Sequence, residues 1–222
     1  YTSDDATGTL TYTPVANANG TATITVTVSD NGGTANSGDD TVTMTFDVEV
    51  TAVNDEPIIT QVDNPAAVLE NAVEQTINLE GIGDGDAEAS QTITITASSS
   101  NTAIIPDPTV TYTSDDATGT LTYTPVADAN GTATITVTVS DDGGTANSGD
   151  DSVTMTFDVE VTAVNDEPVI TQVSDPSAIN EGAGEQTINL EGIGDGDADL
   201  VQALTVTAAS SDTDLIPNPT VT

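Results

Sequence analysis

The 222-residue sequence has no lysine, arginine or histidine, whereas 37 aspartate and glutamate residues give it a formal charge of −37. Nucleic-acid binding requires basic side chains that displace the counterions of the phosphates, so we expect no nucleic-acid partner. Electrostatic attraction to an anionic membrane surface is excluded for the same reason. The lack of histidine and lysine also removes Ser-His pairs, Cys-His pairs and Schiff bases, which leaves carboxylates as the only catalytic groups.

Cysteine and tryptophan are absent too, and aromatic residues make up only 3% of the chain. Without cysteine there is no disulfide framework and no thiolate zinc site. No apolar run approaches the roughly 20 residues that a membrane-spanning helix needs, so we expect no insertion into a membrane. Few aromatic residues and a high negative charge are typical of disordered chains, but the periodicity of the sequence argues against disorder.

The sequence repeats itself after 111 residues. Residues 1–111 and 112–222 differ at 22 positions, and the segment that begins at Tyr1 recurs from Tyr112 onward. The units of solenoid proteins have about 20–50 residues, so a period of this length corresponds to one whole domain.

Within each repeat, apolar residues alternate with threonine, aspartate or glutamate. Ile24, Val26 and Val28 fall on one face of an extended segment, and residues 42–50 alternate in the same way. A β-strand separates such residues into two faces, whereas an α-helix would spread them around its circumference. The 42 threonines fit this interpretation because their branched side chains pack well on a pleated sheet.

The unit from residue 57 to residue 167 is predicted to contain seven strands, separated by clusters of Asn, Gly, Asp and Pro. The predicted strands are 57–62, 75–80, 91–97, 109–113, 119–124, 131–140 and 152–164. Seven short strands in roughly 110 residues are typical of an antiparallel β-sandwich. The sequence therefore predicts an all-β fold of tandem seven-stranded antiparallel Greek-key sandwiches.

Both ends of the sequence fall within a predicted strand, because the strand at 109–113 has equivalents that include Tyr1 and Thr222. We therefore expect three parts: the C-terminal half of a repeat (1–56), a complete repeat (57–167) and the N-terminal half of the next repeat (168–222). Half a sandwich has open sheet edges and half a core. Either a longer tandem array or neighbouring chains would complete the two halves.

The informative acidic residues lie in the loops, since strand acids such as Asp47 are expected on the solvated face. The segment Ala52-Val-Asn-Asp-Glu-Pro57 follows the alternating residues 42–50 and recurs at 163–168, at the end of the longest predicted strand. Its proline marks a domain boundary. The segment Gly81-Ile-Gly-Asp-Gly-Asp-Ala-Glu88 comes directly after a strand and recurs at 192–199.

Two further acidic positions recur near strands. Asp30 and Asp141 follow the long Thr-Val strand, and Glu70 and Glu181 follow the first predicted strand of their repeats. Clustered carboxylates repel each other unless a cation neutralises them, and this chain has no positive side chain. Ca²⁺ binds about six to eight oxygen ligands, including carboxylates and backbone carbonyls. The loops therefore predict Ca²⁺ taken from solution, with screening by sodium as the simpler alternative.

The block Ile24-Thr-Val-Thr-Val-Ser-Asp30, followed by a strand and by Val53-Asn-Asp-Glu-Pro57, resembles the second half of a cadherin repeat. The cadherin pattern is V-x-A-x-D-x-G, then a strand, then D-x-N-D-N-x-P. The sequence is more similar to the bacterial cadherin-like and Ig-like tandem repeats of large calcium-dependent surface adhesins, whose linker commonly reads A-V-N-D-x-P. This resemblance implies cadherin-like or Ig-like sandwiches with Ca²⁺ bound at the junctions between domains.

The resemblance also implies a ligand set at each linker. At the first linker the set is Asn54, Asp55, Glu56, Asp84, Asp86 and Asp141. At the second linker the set is Glu70, Asp128, Asn165, Asp166, Glu167, Asp195 and Asp197. Asp30 and Glu181 occupy the equivalent positions in the outer halves. Ala52 and Ala163 stand where the cadherin linker has aspartate, so the number of ions at each junction is left open.

These observations lead us to expect a structural protein and not an enzyme. The expected function is an extracellular rod or filament in a bacterial surface adhesin or matrix fibre, stiffened by Ca²⁺. Its partners would be neighbouring copies of the same repeat, in the same chain or in adjacent chains. The outward threonines suggest an alternative, an adhesin module that binds carbohydrate or ice. Carboxylate pairs could also support glycoside hydrolysis, but these acids are predicted at junctions, away from any aromatic sugar platform.

Overall fold

A computed structural model describes residues 6–87, 90–198 and 201–222. These residues contain nine β-strands and two single-turn 3-10 helices, at Ala35–Ser37 and Ala146–Ser148. No described helix is long and apolar enough to cross a membrane.

The first two strands form a hairpin. Strand β1 (Gly20–Ser29) pairs antiparallel with β2 (Thr41–Val50), in a register that runs from Gly20 opposite Val50 to Ser29 opposite Thr41. The alternating sequence forms these strands as predicted, since each residue pair across the hairpin has its side chains on a common face. The apolar face of the hairpin is largely exposed, as the 61% exposure of Met44 illustrates.

The central part of the chain forms a sandwich of two sheets. One sheet contains, in spatial order, β3 (Val68–Leu69), β9 (Ser152–Thr162), β8 (Gly131–Ser140) and β5 (Thr94–Ser99). The other contains β4 (Gln75–Glu80), β7 (Thr118–Tyr123) and β6 (Thr109–Thr111). The chain passes between the sheets after β3, β4, β5 and β7, which is the connectivity of a Greek-key sandwich. The predicted all-β sandwich is therefore confirmed.

The core lies between these two sheets because alternation directs one apolar face of each strand inward. On β8, Ile135, Val137 and Val139 are fully buried. Burial of one such side chain stabilises the fold by about 1.5–3 kcal/mol. The other buried apolar residues are Leu79, Ile82, Ile93, Ile95, Ile105, Leu121, Tyr123, Ala133, Met155, Phe157, Val159 and Val161.

Two features of the sandwich differ from the prediction. The predicted strand 57–62 is reduced to a single bridge between Ile58 and Gly83, with a further hydrogen bond from Thr60 N to Glu80 O at 2.9 Å. Strand β3 was not predicted, because two residues are too few to show alternation. It pairs in parallel with β9, whereas the other described strand pairs of the sandwich are antiparallel as predicted.

Strand β5 begins at Thr94, three residues later than predicted, because side chains take the preceding backbone N–H groups. The N–H of Gln91 donates to Asp84 Oδ2 at 3.0 Å, and that of Thr92 donates to Asp142 Oδ1 at 2.8 Å. The N–H of Ile93 donates to Ser114 Oγ at 2.9 Å. Side-chain acceptors thus compete with the sheet for these donors.

The C-terminal segment repeats the sequence of the first half of the sandwich but forms fewer pairings. Among its described residues the only ladder contact is a bridge between Val169 and Gly194. Leu190 is 37% exposed, whereas its equivalent Leu79 is fully buried. The described buried residues of the hydrophobic core all lie between Leu79 and Val161. The division of the chain at residues 56 and 167 stays a prediction.

Truncation of the core tests the packing of the central sandwich. Phe157 is 2% exposed, so Phe157→Ala is expected to lower the free energy of unfolding by about 3–5 kcal/mol. Thr154 lies on the exposed face of the same strand, and Thr154→Ala should change it by less than about 0.5 kcal/mol. Urea unfolding followed by circular dichroism measures both. Equal losses in the two variants would contradict the assigned inward face of β9.

Candidate metal centre

The first linker is anchored to the loop between β8 and β9 by Asn54. The Asn54 side-chain amide donates to Asp141 Oδ1 at 3.0 Å and to the carbonyl of Asp150 at 2.5 Å. The N–H of Asp150 in turn donates to the Asn54 carbonyl at 3.1 Å. A Cβ atom at Gly143 would lie 1.8 Å from Asn54 Oδ1, so glycine is required there for the linker to approach.

Gln91 connects this anchor to the acidic loop that follows β4. Its side chain is 9% exposed and donates through Nε2 to Asn54 Oδ1 at 2.5 Å and to Asp86 Oδ2 at 2.8 Å. Its backbone N–H donates to Asp84 Oδ2 at 3.0 Å. Hydrogen bonds through one glutamine therefore bring together Asn54, Asp84 and Asp86.

The linker also approaches the acidic loop through its backbone. Gly85, between Asp84 and Asp86, has a φ of +76°, and a Cβ atom there would lie 2.0 Å from the Glu56 carbonyl oxygen. Only glycine fits both this backbone conformation and this contact. A backbone carbonyl oxygen of the linker is thus placed against the backbone of the acidic loop, and Ca²⁺ accepts both carbonyl and carboxylate oxygens as ligands.

Two buried oxygen atoms at this end of the domain have no hydrogen-bond donor. They are Gln91 Oε1 and Asp141 Oδ2. The other oxygen of Asp141 accepts from Asn54 and from the N–H of Gly143, the latter at 2.9 Å. A buried polar atom without a partner is costly, and a bound cation would satisfy such oxygens. The residues present therefore fit a metal ion.

The second linker lies beside a buried glutamate from the preceding domain. Glu70 is 2% exposed, and its Oε1 accepts the N–H of Val164 at 2.5 Å. Its own N–H donates to the Thr162 carbonyl at 2.9 Å, so the end of β9 and residue 70 are joined twice. The second carboxylate oxygen, Glu70 Oε2, is buried and has no donor.

Asp166 is a half-buried carboxylate of the second linker. Burial raises the pKa of Asp166, and the negative charges of Asp128, Asp197 and Glu70 raise it further. Asp128 and Glu70 precede the linker in the chain, whereas Asp197 follows it. Carboxylates from both sides thus act on one linker carboxylate, and no side chain in the sequence carries a compensating positive charge.

The acidic loop of the second copy repeats the geometry of the first. The N–H of Gln202 donates to Asp195 Oδ2 at 2.9 Å, and its side-chain amide donates to Asp197 Oδ2 at 2.7 Å. A Cβ atom at Gly196 would again lie 2.0 Å from a linker carbonyl, that of Glu167. The local arrangement is therefore reproduced twice in one chain.

The remaining candidate ligands have fewer described contacts with the linkers. Asp30 accepts the N–H of Gly32 at 2.7 Å within its own loop, and no described hydrogen bond joins it to a linker. Glu181 is exposed in the C-terminal segment. Asn165 donates to the Asp166 carbonyl at 3.0 Å, and Asp55 is half-buried beside Asn54.

No three Asp or Glu side chains in the described part of the chain converge into a preformed metal cluster. The arrangements at the linkers instead combine carboxylate, amide and backbone carbonyl oxygens. Sequence reasoning missed Gln91 and Gln202 because glutamine at the start of an alternating segment is indistinguishable from a strand residue. Their recurrence five residues after the second aspartate of each acidic loop was the available signal.

Comparison with known families identifies the central repeat. The family described as "Bacterial Ig domain" matches residues 54–158, from the linker asparagine to most of β9. The central repeat is a bacterial Ig domain. The resemblance to bacterial Ig-like repeats, inferred from the strand and linker motifs, is thus confirmed for this repeat. Comparison with curated proteins gives no match.

Three solved structures resemble the bacterial Ig domain and its flanks in outline. The S-layer protein SbsC domains 4 and 5 are 21% identical over 65% of this chain and 59% of that chain, with a TM-score of 0.31. The S-layer protein rSbsC(31-844) is 19% identical over 69% and 18%, with a TM-score of 0.30. Mouse clustered PcdhgC3 EC1-3 is 20% identical over 69% and 46%, with a TM-score of 0.38. The chain spans less than two thirds of each, and similarity this weak carries no functional argument.

Glycine substitutions test the contact between the linker and the acidic loop. Gly85 and Gly144 both have positive φ, but only at Gly85 would a Cβ atom meet the linker; at Gly144 nothing lies within 4 Å. A left-handed alanine costs roughly 1–2 kcal/mol at either position. Gly85→Ala should therefore lower the free energy of unfolding by at least about 1 kcal/mol more than Gly144→Ala. Urea unfolding decides, and equal losses would contradict a close contact at Gly85.

Proposed function

We propose that this chain is a segment of an extracellular bacterial surface protein in which Ca²⁺ at the linkers holds successive Ig domains as a stiff spacer. The surrounding protein would be an adhesin or a matrix fibre. The supporting observation is that a carboxylate beside each linker, Asp141 at the first and Glu70 at the second, has a buried oxygen without a hydrogen-bond donor, in a chain without positive side chains. Ig-like families are typically non-enzymatic, which fits a structural role.

Each linker has oxygen donors from more than one element. At the first linker, Asp84, Asp86 and Asp141 would hold the ion together with Asn54 and the Glu56 carbonyl. At the second linker, Glu70, Asp128, Asp166 and Asp197 would hold it, with Asp195 orienting the loop through Gln202. When bound, Ca²⁺ supplies positive charge that turns repulsion between these groups into a cross-link. The linker then loses rotational freedom about its backbone bonds, and the neighbouring domains keep a fixed angle.

The expected affinity is compatible with a location outside the cell. Extracellular Ca²⁺ modules bind with dissociation constants of about 10⁻⁴–10⁻³ M. Such sites are filled only where free calcium is close to millimolar. Because the buried donors assemble only in the folded state, ion binding also stabilises the domain by mass action.

The threonine-rich outer face gives less support to a carbohydrate-binding or ice-binding module. On the sheet formed by β8 and β9, Thr132 lies opposite Glu160 and Thr134 opposite Asp158. The Thr134 hydroxyl donates to Asp158 Oδ1 at 2.7 Å. The acids interrupt the threonine array and engage its hydroxyls, as expected of an ordinary solvated face.

Removal of the metal tests the proposed function directly. At 100 times its dissociation constant Ca²⁺ should add about 2.7 kcal/mol to the stability of the domain, so thermal unfolding should shift to clearly higher temperature. Small-angle X-ray scattering should give a larger maximum dimension and a larger radius of gyration with Ca²⁺ than with a chelator. Sodium chloride at equal ionic strength is the control for simple screening.

Two results would contradict this proposal. One is a melting temperature that responds equally to Ca²⁺ and to sodium at matched ionic strength. The other is a scattering profile that is unchanged by a chelator.

A single carboxylate substitution locates the site. Asp141→Asn removes the charge of the carboxylate whose Oδ2 is buried without a donor. It should weaken Ca²⁺ binding at least tenfold, which corresponds to a loss of about 1.4 kcal/mol of binding free energy. Glu160→Gln removes one charge from the exposed face of β9 and serves as the matched control. Isothermal titration calorimetry with CaCl₂ measures both. Equal weakening by the two variants would indicate diffuse attraction and refute a site at the linker.

A further inference from the structure

Residues 61–70 of the central domain run alongside β9 and contact it at several points. The Gln61 side-chain amide donates to the Thr156 carbonyl at 2.9 Å, and Asn64 Oδ1 accepts the N–H of Asp158 at 2.8 Å. Further along, β3 pairs in parallel with the last two residues of β9. The bonded partners advance in the same direction along both segments, so the whole contact is parallel. This contact between residues 61–70 and β9 is the β9 seam.

The seam ends in a group of hydrogen bonds around Glu70. The N–H of Glu70 donates to the Thr162 carbonyl at 2.9 Å, and its Oε1 accepts the N–H of Val164 at 2.5 Å. The Thr162 hydroxyl also donates to the Val68 carbonyl at 3.2 Å. Hydrogen bonds to an ionised carboxylate are stronger than those between neutral groups, and burial of Glu70 keeps water from competing. Glu70 therefore fastens the end of the seam.

The two linkers are attached at opposite ends of β9. The Asn54 carbonyl accepts the N–H of Asp150 at 3.1 Å, and the Asn54 side-chain amide donates to the Asp150 carbonyl at 2.5 Å. Asp150 directly precedes β9, whereas the second linker continues from the last residue of β9, Thr162. Because β9 has eleven residues, the two attachments are about 35 Å apart. A force that separates the linkers therefore acts along β9.

The parallel direction of the seam decides how this force loads its hydrogen bonds. The first linker continues into residues 57–70, which run from the start of β9 toward its end. Tension on the first linker pulls this segment backward, while tension on the second linker pulls β9 forward. The two segments are then sheared past each other, and all bonds of the seam are strained at once. Bonds that are strained together share the load, whereas a strand peeled from one end loses its bonds one at a time.

We propose that the β9 seam is a mechanical clamp that keeps the central domain folded under tension applied through its two linkers, with Glu70 as its strongest point. This property goes beyond the proposed spacer, because stiffness concerns the angle between domains and the clamp concerns the integrity of one domain. The bonds of the seam join protein groups only, so the clamp requires no cation.

Two pulling directions test the clamp. The sequence has no cysteine, so pairs of introduced cysteines can attach the full chain to the handles of an optical trap. The pair Val53→Cys and Glu167→Cys pulls through the linkers and shears the seam. The pair Val73→Cys and Glu167→Cys pulls on positions that follow Glu70 and Val164, at one end of the seam, and peels it open. All three attachment positions are exposed.

The unfolding force should depend on the pulling direction. Unfolding of the domain should appear in both directions as a lengthening of about 300 Å, since each residue of an extended chain spans about 3.3–3.6 Å. The force at this step should be clearly higher through positions 53 and 167 than through positions 73 and 167. None of these three positions lies within the seam, so the comparison does not depend on a damaged clamp. Equal forces, or a lower force through the linkers, would overturn the proposal.

A variant of Glu70 tests its place in the clamp. Glu70→Ala removes the bond to the Val164 N–H, and it should raise the unfolding rate under constant force through positions 53 and 167 about tenfold. Glu160→Ala removes an exposed carboxylate from the same strand and should leave this rate unchanged. Through positions 73 and 167 the Glu70 bonds break early and separately, so Glu70→Ala should change the rate much less. Equal acceleration in the two directions would indicate a general loss of stability and contradict the assigned role.

A chelator keeps this test separate from the proposed Ca²⁺ sites. All force measurements are made in its presence, so their outcome does not depend on ion binding. A stability that does not respond to Ca²⁺ would refute the proposed function and leave the clamp intact. Equal unfolding forces in the two directions would refute the clamp alone.

Discussion

The constraint on which the rest of this structure depends is negative charge without any positive side chain. Every buried carboxylate oxygen has to be met by a backbone N–H, by a side-chain amide or by a cation from solution. The chain uses the first two where it can: Glu70 accepts the N–H of Val164, and Asp141 accepts from Gly143 and Asn54. One oxygen of each of these two carboxylates still lies buried without a donor. Both oxygens lie where a linker meets the domain, so the unbalanced charge is concentrated at the ends of the sandwich.

The groups that stabilise the domain are therefore different from the charged and amide groups at its ends. The core is formed by apolar residues of β4 to β9 and contains no charged group, so its packing does not require an ion. At the first linker, the neutral side-chain amides of Asn54 and Gln91 lie between carboxylates and hold them in place by hydrogen bonds. The sandwich core can therefore pack without an ion, and the cation of the proposed function would act at the linkers, where the unpaired oxygens lie. This division suits a spacer whose stiffness responds to its surroundings.

Much of the fold could be predicted from the sequence, because period-2 alternation is strong wherever a strand has one buried face. The predicted bounds of β4 and β8 agree with the structure for this reason. Prediction was wrong where side chains compete for backbone donors, as at the start of β5, and where a strand is too short to alternate, as in β3. At the linkers, the resemblance to cadherin-like repeats named the acids but not Gln91. An amide that bridges two acids has no signature in a single repeat, because a glutamine at the start of a strand looks the same whether or not it contacts carboxylates.

Comparison of the two copies of the repeat shows which structural features depend on nearby residues and which depend on pairing with distant strands. The sequence Gln-Thr-Ile-Asn-Leu-Glu occurs at residues 75–80, where it pairs with β7, and at residues 186–191, where the structure describes no strand. Intrinsic β-propensity is identical in the two, so pairing decides the strand. The acidic loop behaves differently: Gln91 and Gln202 make the same two hydrogen bonds, and both linker carbonyls approach the loop glycine equally. The framework of the proposed cation site is therefore assembled by nearby sequence, even in the C-terminal segment, where no strand is described. What the complete sandwich adds is the β8–β9 loop, which brings Asp141 to that framework and turns a local acidic loop into a site that joins linker and domain.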